Sequence, residues 1–381
     1  MTRVLAIQPY IPAYRIPLFR YLRNELPRHG IEFRVAAASP TGLQAERGDA
    51  VPAEGDFHID QSLIRLGTSS IQIRRIGEVI RHYSPDMIII EQAIKNLESW
   101  QLLLKGSRRQ PLIGLWGQGA PFSQNPSPTI ARLKATMTNR ARWFFAYTNA
   151  GAEFVADEGF PKDRITVVRN STDTNRLRTD IQSISEQQVR EFRDTHNLTQ
   201  GNSALFMGGI DSRKGLAFLI QSVQRIQERE PAFRLLVAGA GSGVETVRNV
   251  MRNGRAVDYL GRLEGAEKAL ALAACDFIML PEWVGLIATD ALASGRPVVT
   301  TSHHSHAPEF SYLVEGAHRL TSAHDVDDYA TLVIELMQDP SIIKDLQAKC
   351  YSEGFAYSIE GMGENFIEGI TNWAARDLRV I

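Results

Sequence analysis

Two acidic residues in the last third of the chain have the spacing of a pair that could hold one ligand. Glu282 and Asp290 lie eight residues apart in the segment 281–299, which reads PEWVGLIATDALASGRPVV. A short loop carries Glu282, and a helical pattern extends from near Gly285 to just before Gly295. On one helix, residues eight apart lie about two turns from each other on the same side. The two carboxylates could therefore accept hydrogen bonds from hydroxyl groups at two ends of a ligand.

The start of the same helix is suited to an anion. A helix that begins near Gly285 and Leu286 presents free backbone N–H groups and the positive end of its dipole. It follows the carboxyl end of a predicted strand, where open α/β sheets bind their ligands. These features predict a site for a diphosphate or a sugar oxygen. A capped surface helix with scattered acids is the alternative explanation.

A second segment supplies the positive charge that an anion needs. Residues 205–215, LFMGGIDSRKG, lead from an apolar run through a glycine pair to Arg213 and Lys214 at a helix start. Glycine lets the backbone approach a phosphate, and the two cations can donate charge-assisted hydrogen bonds. A tight turn with solvated cations is the alternative, and the acidic segment downstream favours the phosphate interpretation.

A third turn is similar to a dinucleotide-binding fingerprint but differs from it in spacing. Residues 239–243 read GAGSG, which gives Gly-x-Gly-x-Gly instead of Gly-x-Gly-x-x-Gly. The fingerprint also needs an acidic residue at the end of the next strand, and Asp258 lies inside its predicted strand. The pattern therefore argues against a nicotinamide dinucleotide.

The elements that must position these residues alternate between strands and helices along the chain. The predicted strands are short, apolar and bounded by Gly, Pro or polar residues, as buried parallel strands are. They are 3–8, 31–37, 86–90, 112–115, 143–147, 164–168, 204–207, 234–238, 257–260, 277–280 and 297–301. Amphipathic stretches lie between them, and the clearest is 214–227. This βαβ pattern predicts an α/β protein with two doubly wound domains.

The segment 281–299 resembles the donor-site signature of the retaining family-4 glycosyltransferases, Pro-x-x-Glu-x-Phe-Gly-x-x-x-x-Glu-Ala-x-Ala-x-Gly-x-Pro-Val-Val. The resemblance implies that Glu282 lies near the transferred sugar and that Asp290 holds the ribose hydroxyls. This chain has Asp290 in place of the second glutamate and Val284 in place of phenylalanine. The shorter carboxylate can accept the same two hydrogen bonds with a smaller reach.

The turn that contains Lys214 resembles the family motif Gly-Arg-x-x-x-x-Lys-Gly, whose two cations bind the donor diphosphate. Lys214 matches the lysine, and Gly209 stands where the family has arginine. The resemblance therefore assigns the diphosphate to Lys214, with Arg213 as a candidate replacement for the missing arginine. The glycine-rich turn at 239–243 corresponds to the family turn that lines the donor cleft.

The stretch 259–263 matches the family segment whose backbone meets the nucleobase. It reads YLGRL, so the resemblance implies that Gly261, Arg262 and Leu263 contact the base. The segment Asn170-Ser171-Thr172-Asp173 matches the family's border between domains.

Two residues of the first half are predicted to serve the reaction. Residues 9–19, PYIPAYRIPLF, resemble a subgroup with Pro-x-Tyr-Arg-x-x-x-Phe, and Arg15 either faces the donor phosphates or forms a surface salt bridge. Residues 115–119, LWGQG, stand where that subgroup has Trp-Gly-His-Gly. Gln118 therefore occupies the histidine position, and glutamine can hydrogen-bond a sugar hydroxyl but cannot transfer a proton. Together with Glu282 it is the predicted catalytic residue.

The resemblance covers nearly the whole chain and implies the GT-B fold. In that fold two Rossmann-like domains face each other across a cleft, and a C-terminal helix crosses back to the N-terminal domain. The implied divisions are an acceptor-side domain at 1–175, a linker at 176–200, a nucleotide-sugar-binding domain at 201–356 and the crossover helix at 357–381.

Composition excludes several classes of protein. Lys and Arg total 42 and Asp and Glu total 43, so the net charge of -1 argues against nucleic-acid binding. The two cysteines, Cys275 and Cys350, are too few for a disulfide framework, and no apolar run approaches the roughly 18 residues of a membrane span.

The expected location is the cytoplasm, with peripheral contact at the inner face of the membrane left open. The basic stretch 130–143 either docks on anionic lipid or is a packed helix with a solvated face.

Histidines cluster at His303, His304 and His306, in a loop with Ser and Pro and without an acidic residue at a clear ligand spacing. We interpret them as unliganded. Because cations can neutralise the donor diphosphate, no catalytic metal is expected and no cofactor is required.

The predicted function is transfer of a hexosyl group from a nucleotide-diphosphate sugar, of the UDP or GDP type, to a hydroxyl acceptor with retention of configuration. The acceptor is a glycan, a lipid-linked molecule or a small molecule, as in polysaccharide, glycolipid or other glycoconjugate biosynthesis. A sugar-nucleotide epimerase or hydrolase is an alternative that needs a further base. A second alternative is a nucleotide-sugar-binding relative with impaired catalysis, marked by Gln118 and Gly209, that acts as a partner or regulatory subunit.

Overall fold

The computed structural model describes residues 1–46, 48–51, 54–66, 69–104, 111–120, 127–252, 254, 256–304 and 306–378. The chain divides into two compact units. The first consists of Met1–Asn170 together with Ile359–Ile381, and the second is Ser171–Ser358. The last residues of the predicted C-terminal helix, 379–381, lie outside the described residues.

The first unit is built around a parallel sheet. Its strands are β1 Thr2–Gln8, β2 Ile31–Ala37, β3 Phe57–His58, β4 Gln61–Leu66, β5 Ser69–Arg74, β6 Met87–Glu91, β7 Leu112–Gly117, β8 Trp143–Ala146 and β9 Ile165–Val167. Its helices are α1 Ile16–Glu25, α2 Leu43–Glu46, α3 Gly77–Tyr83, α4 Leu97–Leu104, α5 Pro128–Thr138, α6 Asn149–Asp157 and, at the end of the chain, α15 Ile359–Asp377. The strand order is β3-β2-β1-β6-β7-β8-β9, and β4 and β5 form a separate antiparallel hairpin.

The centre of this sheet is apolar on both faces, as a parallel sheet covered by helices requires. Val4 and Ile7 of β1 are fully buried, and β6 has the sequence MIIIE. α1 places Leu18 and Leu22 on its buried side, at the spacing of one helical face.

The last helix, α15, contributes to the hydrophobic core of the first unit. It packs against α1, β8 and β9. Phe366 stacks on Phe145 with ring centroids 5.0 Å apart, and the fully buried Trp373 lies edge-on to Phe145. The first unit is therefore assembled from both ends of the sequence.

The second unit is a parallel sheet covered by helices. Its strands are β10 Ser203–Met207, β11 Arg234–Ala238, β12 Val257–Gly261, β13 Phe277–Met279, β14 Val298–Thr301 and β15 Arg319–Ser322. Its helices are α7 Thr174–Gln182, α8 Glu186–Thr195, α9 Leu216–Arg229, α10 Val244–Arg252, α11 Gly265–Ala274, α12 Ile287–Ser294, α13 Val326–Gln338 and α14 Pro340–Glu353. The strand order is β12-β11-β10-β13-β14-β15.

Each sheet has a point at which the order of its strands reverses. In the first unit β1 lies between β2 and β6, and in the second β10 lies between β11 and β13. This is the doubly wound Rossmann-type order, in which ligands bind beyond the carboxyl ends of the strands at the reversal. The predicted fold class, two parallel-sheet α/β Rossmann-like domains, is confirmed.

The predicted strands are all present, with ends that differ by at most two residues. The prediction missed β3, the β4–β5 hairpin and β15. These strands are short or carry polar residues, as in the sequence RLTS of β15, so they lack the apolar run that marks a central strand.

The segment predicted as a linker, 176–200, contains most of α7 and all of α8. Both helices pack within the second unit, α7 on α11 and α12 and α8 on α11. Leu177 is buried, and Val189 and Phe192 pack against the core of that unit. The charged composition of this segment conceals a narrow apolar face, and for that reason it was interpreted as a linker.

Candidate functional site

The turns that follow β10 and β11 are in direct backbone contact. A Cβ atom at Gly239 would collide with the carbonyl oxygen of Gly208, and the Ile210 N–H donates to the Ala240 carbonyl at 2.8 Å. Gly239 also has a φ of 147°. Only glycine fits at position 239, and its lack of a side chain lets the two turns contact each other beside the strand reversal.

The turn after β13 reaches the turn after β10 through two contacts. A Cβ atom at Gly215, which has a φ of 64°, would lie 2.7 Å from the carboxyl carbon of Glu282. The Lys214 ammonium group donates to the Trp283 carbonyl at 2.6 Å. Trp283 itself has a φ of 49°, an uncommon backbone conformation for a bulky residue. These contacts bring the predicted cation Lys214 and the predicted carboxylate Glu282 to one place.

Arg213, the neighbour of Lys214, is paired within its own turn. Its guanidinium contacts both carboxylate oxygens of Asp211, at 2.6 and 3.2 Å, and lies 5.6 Å from the Trp283 ring centre. Burial opposes ionisation of Asp211, but the hydrogen bonds from Arg213 outweigh it and hold the pKa of that carboxyl below its usual value. Gly209, in the same turn, adds no side chain.

The N-terminus of α12 presents backbone amides beside this cluster. Among the described residues, the N–H groups of Gly285, Leu286 and Ile287 meet no acceptor. The preceding Val284 N–H donates to the Nδ1 atom of His306 at 3.1 Å. The predicted anion-binding amides are therefore present, and an imidazole fixes the loop that leads to them.

The helix begins at Ile287, so Glu282 lies in the loop before it and Asp290 lies in its first turn. Glu282 thus lies in a loop, as predicted, but the predicted separation of two helical turns from Asp290 is wrong, because only Asp290 lies on the helix. Asp290 is buried, and both of its carboxylate oxygens have partners. Thr172 donates to Oδ1 at 2.9 Å, and the Lys268 ammonium lies 2.8 Å from Oδ2.

The residues assigned to the nucleobase adjoin the turn after β11. The carbonyl of Gly261 accepts the Gly239 N–H at 2.7 Å. Arg262 pairs with Glu264 at 2.6 Å, and Leu263 is half-buried against the core of the unit. The resemblance assigned backbone contacts to this stretch, and the pairing of Arg262 leaves that assignment unaffected.

The loop after β14 separates the three clustered histidines. His304 is exposed, whereas the Nε2 atom of His303 lies 4.0 Å from a carboxylate oxygen of Glu282. His324, which follows β15 on the neighbouring strand, places its Nε2 atom 3.5 Å from the other oxygen of Glu282. The sequence analysis did not single out His324, because nothing in local spacing connects it to Glu282.

His306 has a structural role in this loop. Its Nδ1 atom accepts the Val284 N–H, and its Nε2–H donates to the Thr301 carbonyl at 3.0 Å. The ring stacks on Phe310 with centroids 4.0 Å apart. Burial lowers the pKa of His306 to about 4, so the ring is neutral and both nitrogens are satisfied at pH 7.

In the first unit Arg15 is buried among aromatic rings. Its guanidinium carbon lies 4.6 Å from the centre of Trp116, 5.1 Å from Tyr14 and 5.9 Å from Tyr147, and Nη1 donates to the sulfur of Met362 at 3.8 Å. Within the described part of the chain it pairs with no carboxylate. The alternative of a surface salt bridge is therefore wrong.

Gln118 is also buried and held in place. Its amide donates to the Ala120 carbonyl at 2.8 Å, and the Lys134 ammonium donates to the same oxygen at 2.7 Å. The adjacent Gly119 N–H donates to Gln92 Oε1 at 3.1 Å. Burial lowers the pKa of Lys134 to about 8.

Two family models match most of the chain. Residues 18–176 match the description Glycosyltransferase Family 4, and residues 201–339 match Glycosyl transferases group 1. The chain belongs to the family-4 glycosyltransferases. Its fold is therefore the GT-B fold of two Rossmann-like domains, in agreement with the resemblance.

The sequence relatives of this glycosyltransferase include mannosyltransferases. A GDP-mannose-dependent monoacylated alpha-(1-6)-phosphatidylinositol monomannoside mannosyltransferase from Corynebacterium glutamicum is 30% identical over 164 residues, which are 39% of this chain and 40% of the relative. A phosphatidyl-myo-inositol mannosyltransferase from Mycolicibacterium smegmatis is 28% identical over 149 residues, 38% of each chain. The matched stretch is thus less than half of either relative.

Solved structures share the fold of this glycosyltransferase over nearly its full length. A glycosyltransferase from Rickettsia africae has a TM-score of 0.70 at 13% identity and covers 99% of both chains. Anabaena Alr3699/HepE in complex with UDP-glucose has a TM-score of 0.67 at 15% identity, covering 97% of this chain and 100% of its own. The UDP-GlcNAc 2-epimerase of Neisseria meningitidis scores 0.66 at 13% identity, covering 97% and 99%. At such identities the likeness shows the fold alone.

Sequence reasoning missed the partners of the predicted site residues in this glycosyltransferase. Lys268 and Thr172 hold Asp290, His324 approaches Glu282, and Gln92 binds the loop of Gln118. Thr172 alone had a signal, since it lies in the segment that matches the family's domain border. Within the part of the chain that the structure describes, every helix is too short or too polar to cross a bilayer.

Proposed function

We propose that this glycosyltransferase transfers a hexosyl group from a nucleotide-diphosphate sugar to a hydroxyl acceptor, with retention of anomeric configuration. One observation carries the proposal. The Lys214 ammonium, which donates to the Trp283 carbonyl, and the Glu282 carboxylate, which packs against Gly215, lie on adjoining turns beside the backbone amides at the start of α12, at the strand reversal of the second sheet. A cation and amides for phosphate thus lie next to a carboxylate for hydroxyl groups.

In this proposal Lys214 and the amides of Gly285 and Leu286 bind the donor diphosphate. The turn beside them carries Gly208 and Gly209, so no side chain there blocks a phosphate. Arg213 is a weaker candidate than the sequence suggested, because Asp211 already accepts its hydrogen bonds. Its charge would act on the diphosphate only at longer range.

Glu282 is proposed to accept hydrogen bonds from hydroxyls of the transferred sugar. Asp290 is proposed to hold the ribose with the lone pairs that Thr172 and Lys268 leave, since a carboxylate offers about four acceptor positions. The backbone around Gly261–Leu263 would meet the base. Lys268 would then position the Asp290 carboxylate.

The reaction breaks the bond between the anomeric carbon and the diphosphate oxygen and forms a bond to the acceptor oxygen on the same face of the sugar. The acceptor hydroxyl gives its proton to the departing diphosphate oxygen. Negative charge grows on the departing diphosphate, so Lys214 and the α12 amides stabilise the transition state more than the ground state. This arrangement supplies the charge that a metal would otherwise supply, and no catalytic metal is proposed. Arg15 and Gln118 of the first unit are proposed to assist.

The names of relatives and neighbours support the donor class. One relative is GDP-mannose-dependent, and a neighbour of the same fold was solved with UDP-glucose. The relatives named for phosphatidylinositol support a lipid-linked or glycan acceptor. Exposed Ile130, Arg132 and Leu133 on α5 would suit peripheral contact with an anionic membrane.

A thermal-shift panel of UDP-, GDP-, ADP- and dTDP-sugars tests the proposal. A ligand that binds only the folded protein raises its Tm, by an amount that grows with its concentration relative to Kd. We expect a clear shift with one nucleotide class, followed by release of that nucleotide when an acceptor is added. A shift without turnover would favour the impaired relative, and no shift with any donor would contradict the assigned site.

A further inference from the structure

Glu282 shares its place with two imidazoles. The Nε2 atoms of His303 and His324 lie 4.0 and 3.5 Å from its two carboxylate oxygens, and one ligand atom from each residue falls within 4.8 Å of the others. His324 is fixed by stacking on Phe218, with ring centroids 4.7 Å apart and planes 8° from parallel. The cluster is therefore formed by side chains from three neighbouring strand ends.

The hydroxyl of Thr301 determines which nitrogen of His324 carries the proton. Its oxygen donates to the Pro281 carbonyl at 2.7 Å and accepts the His303 backbone N–H at 3.2 Å. A hydroxyl has one hydrogen to donate, so its contact with His324 Nδ1 at 2.9 Å must be one that it accepts. The neutral ring consequently carries its hydrogen on Nδ1.

This tautomer directs the lone pair of His324 Nε2 at the Glu282 carboxylate. A lone pair and a carboxylate oxygen at 3.5 Å repel each other unless a proton or a metal cation lies between them, and metal titration distinguishes the two. In metal sites a ligating histidine characteristically donates its other N–H to an oxygen, which fixes the tautomer and the ring orientation. Thr301 gives His324 that arrangement.

We propose that Glu282, His303 and His324 form a binding site for a divalent transition-metal cation such as Zn²⁺. Two imidazoles and one carboxylate are a known zinc ligand set that leaves a fourth position open. Ligand atoms about 2.0 Å from a tetrahedral zinc lie roughly 3.3 Å apart, close to the 3.5 Å between His324 and Glu282. Mg²⁺ and Ca²⁺ prefer oxygen ligands and fit this set less well.

The cation acts as an inhibitor, not as a cofactor. This consequence rests on the proposed function, in which Glu282 binds the donor sugar. A metal that takes the carboxylate removes it from the sugar hydroxyls, so Zn²⁺ competes with donor binding. The metal site itself rests only on the three side chains and Thr301, and it stands or fails without any transfer assay.

Calorimetric titration of the full chain, freed of metal by a chelator, with Zn²⁺ tests the site. Co²⁺ serves as a second probe, because its visible spectrum reports imidazole coordination. We expect one tight site whose affinity falls at least about thirtyfold in His324→Ala and in His303→Ala. Thr301→Val, which removes the oriented hydroxyl, should lower the affinity about tenfold.

His304→Ala is the matched control, because His304 is an exposed imidazole whose ring lies 4.5 Å from that of His303 but which is not one of the three residues whose ligand atoms come together. It should bind Zn²⁺ within about twofold of the unchanged protein. Equal losses in His304→Ala and His324→Ala would overturn the proposal, as would unchanged binding in His324→Ala. Circular dichroism of each metal-free variant confirms that it is folded. If no nucleotide sugar raised the Tm, the proposed function would be contradicted. The Zn²⁺ titration would still decide whether the metal site exists.

Discussion

Lys214 and Glu282 of the second unit lie on short turns, are only partly buried, and contact each other's loops. Arg15 and Gln118 of the first unit are both buried, and rings or backbone carbonyls surround them. The second unit therefore presents its charges where a ligand can replace water. In the first unit, no described carboxylate pairs with the Arg15 guanidinium, and the Gln118 amide is held by the backbone of its own loop.

The partly exposed Lys214 and the buried Arg15 need different tests. A partly exposed lysine can be removed at little cost in stability, so loss of activity reports its function directly. Within the described residues Arg15 has no carboxylate partner, and burying its guanidinium is costly to the fold because aromatic rings and the Met362 sulfur compensate its lost hydration only in part. Removal of this guanidinium should therefore lower activity without lowering stability.

The largest effect is expected for Glu282→Gln. The amide keeps the shape of the side chain but loses the charge that strengthens hydrogen bonds to sugar hydroxyls, so kcat should fall about a hundredfold or more. Steady-state transfer with the donor found in the thermal-shift panel measures it. Glu245→Gln, on the exposed face of α10, is the control and should have normal kcat. Normal turnover in Glu282→Gln would contradict the assigned donor site.

Lys214 and Arg213 should differ although they are adjacent. Lys214→Met removes the cation that meets the diphosphate, and kcat/KM should fall roughly thirtyfold. Arg213→Met should cost less than about threefold, because Asp211 already holds that guanidinium. Equal losses of kcat/KM in the two variants, measured with the same donor, would show that Arg213 takes the role of the family arginine that Gly209 replaces in this chain.

Arg15→Met should lower kcat/KM about tenfold without lowering the Tm. Methionine fills similar space among the rings and removes an unpaired buried charge, so the free energy of unfolding should stay constant or rise. Arg20→Met, on the helix α1 that follows Arg15, is the control, since Arg20 is exposed and paired with Glu54. Normal transfer combined with a lower Tm would show that Arg15 serves packing and not the reaction.

His306 should make the second unit sensitive to acid. Its pKa is about 4 in the folded chain and about 6.5 when unfolded, so the unfolded state binds more protons between these values. The free energy of unfolding should therefore fall as pH decreases from 6.5 towards 4. His306→Gln should flatten this slope in urea titrations at several pH values, and the exposed His304→Gln should not. Parallel slopes in all three proteins would show that His306 does not titrate in this way.

The smallest effect is expected for Gln118→His. A histidine ring can donate one N–H to the Ala120 carbonyl, as the amide does now, so the Tm should change by less than about 2 °C. Differential scanning fluorimetry measures it. A fall of more than about 5 °C would show that Gln118 is needed for the structure of its loop.

The sequence specified the central elements of both sheets because burial on two faces leaves an unmistakable apolar run, as in the MIIIE of β6. It did not reveal β15, whose residues are only half-buried, or the β4–β5 hairpin. The helix start was placed too early because Gly285 and Leu286 have no side-chain cap that would mark it.

Local pattern predicted the site residues but not their partners. Asp290 was singled out from its spacing to Glu282, whereas Lys268 and Thr172 reach it from α11 and from the start of the second unit. His324 reaches Glu282 only because β13, β14 and β15 lie side by side in the sheet. Such contacts depend on the order of strands in the sheet, and no periodicity in the sequence records that order.

The position of α15 has a consequence for synthesis on the ribosome. Phe366 and Trp373 complete the core around Phe145, yet they are translated after the whole second unit. At about 5–20 residues per second, the first unit waits roughly 10 to 40 s for its last helix. The usual order, in which the N-terminal domain is finished first, is thus reversed. During that interval the surface that α15 will cover is open to chaperones.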